Sequence, residues 1–173
     1  MHQQAAYAMR VIGTQLRQAG SLRLNLEPGT TAIESRYLSP VAFEAITPAS
    51  GTAKGFTPQT DTISGTETPP SITTGYRRYA EPVFTSASAQ TLVRNCVGGP
   101  SDTNLDERVE NVFSLSGSQL MCSGNGAAAQ PVVQNVANFI VRYRLQDNAA
   151  IGLPKIRLVS AADVSSSTPA LSC

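Results

Sequence analysis

The sequence predicts an α+β fold, in which an N-terminal α-helix packs on an antiparallel β-sheet with long loops. Three observations support this prediction. A helical apolar periodicity occupies the first 19 residues, turn-forming residues crowd the middle, and hairpin patterns dominate the second half. One helix followed by hairpin-connected strands is typical of an antiparallel α+β domain. The length of 173 residues fits one domain, 1–173, with a sizeable core.

The first segment predicts a helix over about residues 2–19. Its apolar residues step by 4, 3, 4 and 3, which places them on one side of a helix. They are Ala5, Met9, Ile12, Leu16 and Ala19. We expect this stripe to lie on the sheet. Gly20 follows it as a stop signal.

Residues 25–90 are predicted to form an irregular, loop-rich region. Segments such as "TPASGTAKGFTPQT" and "GTETPPSITTG" are rich in Gly, Pro, Ser and Thr, which favour turns. A few short strands are expected within it, at "AIESRYL", "VAFEAI" and "DTISGT".

Residues 91–160 are predicted to supply the β-sheet. "QTLVRNC" indicates a strand that ends at Cys96, and a hairpin is expected with strands near 109–115 and 119–123. "GNGAAAQ" indicates a second turn, and "KIRLV" a last short strand. Between these two segments, every second residue from 139 to 145 has a side chain that suits the protein interior. This period of two predicts a strand with one buried face. The residues on that face are Phe139, Val141, Tyr143 and Leu145.

The composition argues against catalysis. His2 is the only histidine, so neither a nucleophile–base pair nor a zinc site can be assembled around histidine. No phosphate-binding glycine loop or nucleophile elbow is present. We therefore expect no enzyme activity, no catalytic residue and no cofactor. The net charge of +1 provides no general field for nucleic acid or acidic lipid.

An acidic segment, "DTNLDERVE", begins like a calcium-binding loop. Asp102, Asn104 and Asp106 occupy alternate positions. Glu107 stands where an EF-hand needs glycine, and Phe113 stands where it needs the closing glutamate, so an EF-hand is excluded. A solvated loop is favoured, with a looser calcium site as the alternative.

The segment Tyr76–Tyr79 combines two tyrosines with Arg77 and Arg78. The favoured interpretation is a strand with packed tyrosines and exposed arginines. The alternative is that Arg77 and Arg78 contact a ligand or single-stranded nucleic acid, for which the chain lacks a wider basic patch.

The cysteines are Cys96, Cys122 and Cys173. Cys96 and Cys122 have similar settings, each followed within two residues by glycine, which favours a disulfide over two buried free thiols. Such a bond would close a loop of about 27 residues and stabilise the fold by roughly 3–4 kcal/mol. Cys173 is either free or paired within a longer parent chain.

Three segments resemble minor pilins of the type IV pilus, close to the PilW-like prepilin family. The first is "QQAAYAMRVIGTQLRQAGSLRL", which is similar to the second half of the long pilin helix. The second is the cysteine pair in "NCVGG" and "QLMCSGN", and the third is "QPVVQNVANFIVRYRLQDN". They cover residues 3–25 and 92–148.

The resemblance implies a pilin-like fold and a structural, non-catalytic subunit that helps to initiate pilus assembly. Its partners would be other pilin subunits, with Arg10 and Arg17 as candidate subunit contacts. In that family an apolar helix half anchors the subunit in the inner membrane before assembly. That half is missing from these 173 residues, so we expect the chain to be a head domain, and related proteins usually carry a further C-terminal strand.

The resemblance also implies export to the inner membrane and periplasm, and then to the cell-surface pilus. Two alternatives stay open. One is a minor pseudopilin of a type II secretion system, which shares the fold. The other is an exported adhesin or DNA-binding head domain.

Overall fold

The computed structural model describes residues 2–25, 42–43, 49–147 and 155–166. The strand expected at "AIESRYL" lies outside these residues, as does Cys173. In chain order the elements are α1 (His2–Gln18), β1 (Leu24–Asn25), β2 (Ala42–Phe43), α2 (Pro58–Asp61), β3 (Ile63–Glu67), β4 (Pro70–Arg77), β5 (Arg108–Ser116), β6 (Gln119–Ser123), β7 (Gln130–Gln134), β8 (Tyr143–Asp147), β9 (Lys155–Val159) and α3 (Ala161–Ser166).

The fold is α+β, as predicted, with an N-terminal helix and a five-stranded antiparallel sheet. The strand order is β3-β4-β5-β6-β7, so each strand pairs with its neighbours in the chain. The short strands β1 and β2 form a separate antiparallel pair, and β8 and β9 form another. The predicted hairpin is confirmed as β5 and β6, which turn at Gly117, a glycine with φ of 57°.

One face of the sheet carries the core. Ile72, Phe113 and Cys122 lie side by side on β4, β5 and β6 and are almost fully buried. Val11 and Ile12 of α1 pack against them. Half-buried side chains from other elements complete the layer: Ile63, Cys96, Val132, Phe139 and Val141.

The predicted alternation over residues 139–145 is confirmed in the burial pattern. Phe139, Val141, Tyr143 and Leu145 are buried or half-buried, and the residues between them are exposed. Ladder pairing begins only at Tyr143, whose partner is Val159 on β9. Tyr143 and Val159 form a second core cluster with Ala161 of α3. "KIRLV" is therefore a strand, as expected.

The short strand expected at "DTISGT" is confirmed as β3, but the sheet begins earlier in the chain than the predicted range 91–160. β3 and β4 lie within residues 25–90, and β4 is eight residues long and central enough to pair on both sides. Its burial alternates only as far as Thr74, and residues 74–77 are all buried, so both faces of the strand are covered at that end. The apolar pattern of β4 is weak in the sequence because a polar residue, Thr74, and a glycine, Gly75, occupy buried positions.

The strand predicted at "QTLVRNC" is also wrong. Apart from an isolated bridge between Glu81 and Gln90, residues 90–96 form no ladder. Side chains satisfy the backbone donors there instead: Thr91 Oγ1 accepts from the Val93 amide and Asn111 Oδ1 from the Cys96 amide. These local hydrogen bonds compete with sheet pairing.

Candidate functional site

The face that α1 turns toward the sheet differs from the prediction. Met9 and Leu16 of the predicted stripe are 70% and 39% exposed, whereas Ala8 and Gln15 are 7% and 6% exposed. Ile12 of the stripe packs against the core together with Val11, so the buried face overlaps the predicted stripe but is rotated away from Met9 and Leu16. The prediction that the whole stripe from Ala5 to Ala19 lies on the sheet is therefore wrong for Met9 and Leu16, although it holds for Ile12.

The C-terminal end of α1 sets this orientation. The Gly20 amide donates to the Gly75 carbonyl at 2.9 Å, and the Arg77 amide donates to the Ser21 carbonyl at 2.9 Å. The chain after α1 therefore continues the sheet beside β4, beyond the point where β3 pairs with it. Gly20 has φ of 75°, a conformation that favours glycine at a helix C-terminus.

A buried polar contact explains why glutamine occupies the sheet-facing side of α1. The hydroxyl of Tyr76 is shared between Gln15 Oε1 at 3.0 Å and the Arg94 carbonyl oxygen at 2.7 Å. Tyr76 is almost fully buried, and burial raises its pKa to about 12. A buried hydroxyl needs a partner, so Gln15 is favoured over an aliphatic residue here. Apolar periodicity cannot detect this contact.

The side of α1 that points away from the sheet is our candidate functional site, and we call it the outward face. It consists of Ala6, Met9, Arg10, Gly13, Leu16 and Arg17. Arg10 and Arg17 are exposed there. Within the described residues, no ion pair or hydrogen bond engages the guanidinium group of either arginine.

An open groove lies between the N-terminal half of α1 and β7. Its volume is about 460 Å³, and it is lined by Gln3, Gln4, Tyr7 and residues 131–134. These residues supply amides, one phenol and aliphatic groups, with no charged side chain. The groove therefore offers no acid–base pair to a substrate.

The expectation that Arg77 and Arg78 are exposed is wrong. They are 6% and 5% exposed, respectively. Arg77 donates to the carboxylate of Glu107 and to backbone carbonyls. Arg78 donates to the carbonyls of Asn104 at 2.6 Å, Asp106 at 2.9 Å and Ser101 at 2.7 Å. Desolvation by burial lowers the pKa of Arg78.

These contacts give Arg77 and Arg78 a structural role. Three carbonyl groups that converge on one guanidinium hold residues 101–106 against the end of β4. The nucleic-acid contact considered for these residues stays a prediction, but the exposed arginines on which it depended are absent from this segment.

Neighbouring groups stabilise the ionised forms of two carboxylates in the acidic loop, Asp102 and Asp106. Asp102 pairs with Arg94 at 2.8 Å, and this hydrogen bond lowers the pKa of Asp102. Burial tends to raise the pKa of Asp106, but hydrogen bonds from the Lys54 amide and Asn125 outweigh it and lower the pKa. Within the described residues, no group of His, Cys, Asp and Glu side chains could hold a metal ion.

A disulfide joins Cys96 to Cys122, as favoured from the sequence. It ties the loop around residues 95–99 to β6. Asn95 organises this loop, because its Oδ1 accepts from the amides of Val97 at 3.1 Å and Gly99 at 2.8 Å. The bond is buried in the core beside Phe113.

Sequence reasoning overlooked the asparagines. Asn125 has a φ of 50°. Its Oδ1 accepts hydrogen bonds from Glu110 N and Asn95 Nδ2. Its Nδ2 donates to Asp106 Oδ2 and to the Arg108 carbonyl. It therefore links the turn after β6 to both the acidic loop and β5. The "NG" pair in "GNGAAAQ" predicted the turn, but nothing in the sequence indicated the long-range partners.

His2 is the first residue of α1, and no acid–base constellation surrounds the groove. No helix among the described residues is long and apolar enough to cross a membrane. No family model matches the chain, and comparisons with curated proteins and with solved structures found no match either.

Proposed function

We propose that this chain is a non-catalytic structural subunit, a minor pilin of the type IV pilus that helps to initiate filament assembly. The observation that carries the proposal is the outward face of α1. One side of the helix is anchored on the sheet through Gln15 and Gly20, while Met9 and Leu16 on the other side are exposed to solvent. Exposed apolar side chains on a firmly anchored helix suit an interface with another subunit.

Two further features agree with the proposal. The disulfide between Cys96 and Cys122 fits an oxidising, exported environment. The resemblance to pilins assigns the helix to contacts between subunits, with Arg10 and Arg17 among them. The proposed location is the inner membrane and periplasm, followed by the surface pilus, and the proposed partners are other pilin subunits.

Gene deletion in the source cell tests this function. Surface filaments would be counted by electron microscopy in the wild type, in the deletion strain and in a strain complemented with the gene. We expect the deletion to reduce the number of pili and complementation to restore it. An unchanged number of pili would contradict the proposal, and a selective loss of protein secretion would assign the chain to a secretion machine instead.

The gene upstream of Met1 gives a cheaper check. An in-frame prepilin leader followed by about 20 apolar residues is expected there. A stop codon between Met1 and any such leader would contradict the pilin assignment.

A further inference from the structure

The outward face carries the spacing of a coiled-coil seam. Ala6, Met9, Gly13 and Leu16 are separated by 3, 4 and 3 residues, which is the alternation of a and d positions in a heptad. The seam combines two large side chains with two small residues. Knobs from a second helix could therefore enter between Met9 and Leu16 and approach the α1 backbone closely.

Among the residues that the structure describes, no neighbour packs closely enough on Gly13 to require a glycine. A Cβ atom added at Gly13 would meet nothing within 4 Å, and its φ is not positive. Glycine in a helix interior costs roughly 0.5–1 kcal/mol relative to alanine. Neither packing among the described residues nor backbone conformation requires this glycine, and its small size leaves room for close approach of a second helix.

The charges beside the seam are all of one sign. If Ala6 and Gly13 are a positions, Arg10 and Arg17 both fall at e positions, seven residues apart on the same flank. The sequence of α1 contains no aspartate or glutamate. Charges at e and g positions select the partner of a coiled coil.

We propose that the outward face of α1 binds an amphipathic helix of a partner subunit that carries carboxylates beside its own apolar seam. This inference rests on the proposed function, because it names the partner chemistry of the same surface. A second copy of α1 is a poor occupant, since it would place arginines against arginines. Two heptads make a small contact, so the helix pair forms a weak interface that other contacts in an assembly reinforce.

Synthetic peptides provide the test. The probe is a helical peptide of about three heptads with Leu at a and d positions and Glu at e and g positions. A matched peptide carries Lys in place of every Glu. Binding of each labelled peptide to the folded, disulfide-bonded chain would be measured by fluorescence anisotropy at low ionic strength.

The expected result is binding about 10-fold tighter for the Glu peptide, since two favourable charge pairs replace two unfavourable ones. The double variant R10E/R17E should reverse the preference. The control variant R144E changes an exposed arginine on β8 and should leave it unchanged. High salt should reduce the difference, because the charges are exposed.

Equal affinity for the two peptides, or no binding of the Glu peptide up to about 1 mM, would overturn the inference. Arg10 and Arg17 are exposed, so their substitution should not impair folding, and a thermal melt of R10E/R17E verifies this. Failure of the inference is distinguishable from failure of the function. If gene deletion abolishes pili but R10E/R17E assembles them normally, the subunit role stands and the acidic partner helix does not.

Discussion

Tyr76 and Gln15 join the sheet to the helix through a buried hydrogen bond of 3.0 Å. The contact spans 61 positions in the sequence and fixes which side of α1 faces the core. As a consequence, Met9 and Leu16 are left on the exposed side of α1.

Replacing Tyr76 with phenylalanine should destabilise the fold by about 1–3 kcal/mol, because Gln15 Oε1 and the Arg94 carbonyl lose their shared donor. Chemical unfolding monitored by far-UV circular dichroism measures the change. Tyr79→Phe is the matched control, since Tyr79 is exposed. Equal losses in the two variants would contradict a special role for the Tyr76 hydroxyl.

The same tyrosine predicts a loss of stability at alkaline pH. Its folded pKa is about 12, and the unfolded value is roughly 10. Between these values the unfolded chain has released the proton and the folded chain still holds it, so stability falls as pH rises. The stability difference between wild type and Tyr76→Phe should therefore shrink from pH 10 to 12 in unfolding experiments. A constant difference would contradict this prediction.

Arg78→Lys should destabilise the chain by about 2–3 kcal/mol, because a lysine ammonium cannot reach all three carbonyls that the guanidinium contacts. Hydrogen exchange should show faster opening of residues 101–106. Arg144→Lys, at an exposed position, serves as the control and should change stability by less than about 0.5 kcal/mol. Unchanged exchange in Arg78→Lys would show that other contacts hold the loop.

Reduction of the disulfide should lower stability by roughly 3 kcal/mol, since the bond closes a loop with a sequence separation of 26 residues. The measurement compares unfolding midpoints in guanidinium chloride with and without dithiothreitol. A Cys173→Ser background excludes effects of the third thiol. If the reductant shifts the midpoint equally in a Cys96→Ala/Cys122→Ala variant, the disulfide is not the cause.

Gly13→Ala and Gly20→Ala should have opposite effects on stability. Gly13→Ala should stabilise by roughly 0.5–1 kcal/mol because the added methyl group has open space around it. Gly20→Ala should destabilise, because φ of 75° strains alanine and its Cβ would lie 2.9 Å from Thr62 Cγ2. Thermal melts of the two variants make the comparison. A destabilised Gly13→Ala would mean that Gly13 has a role within the fold.

The extent of α1 and the strands of the second half could be predicted because their patterns are local. The step of Ala5, Met9, Ile12 and Leu16 is helical whichever side is buried, and the alternation around Tyr143 is regular. The rotation of α1 could not be predicted, since it depends on contacts made at Gln15 and Gly20 by a distant strand.

The interior arginines could not be predicted for a similar reason. Arg77 and Arg78 look like surface residues in the sequence, because charged side chains are rarely buried without partners. Their partners are mostly backbone carbonyls of residues 101–107, which have no sequence signature. Thr74 and Asn111 form a fully buried cross-strand pair between β4 and β5. Because both residues are polar, the sequence gives little indication that these two strands lie in the core.

Site-specific photo-crosslinking in the source cell tests most directly whether the outward face contacts other subunits. A photoreactive residue would replace Met9 on the outward face, and in a control it would replace Phe84, which is fully exposed in a loop. We predict that position 9 forms an adduct with a pilin, identified by mass spectrometry, and that position 84 does not. Adducts with pilins in equal yield from both positions, or from neither position in cells that assemble pili, would contradict the proposed role of α1.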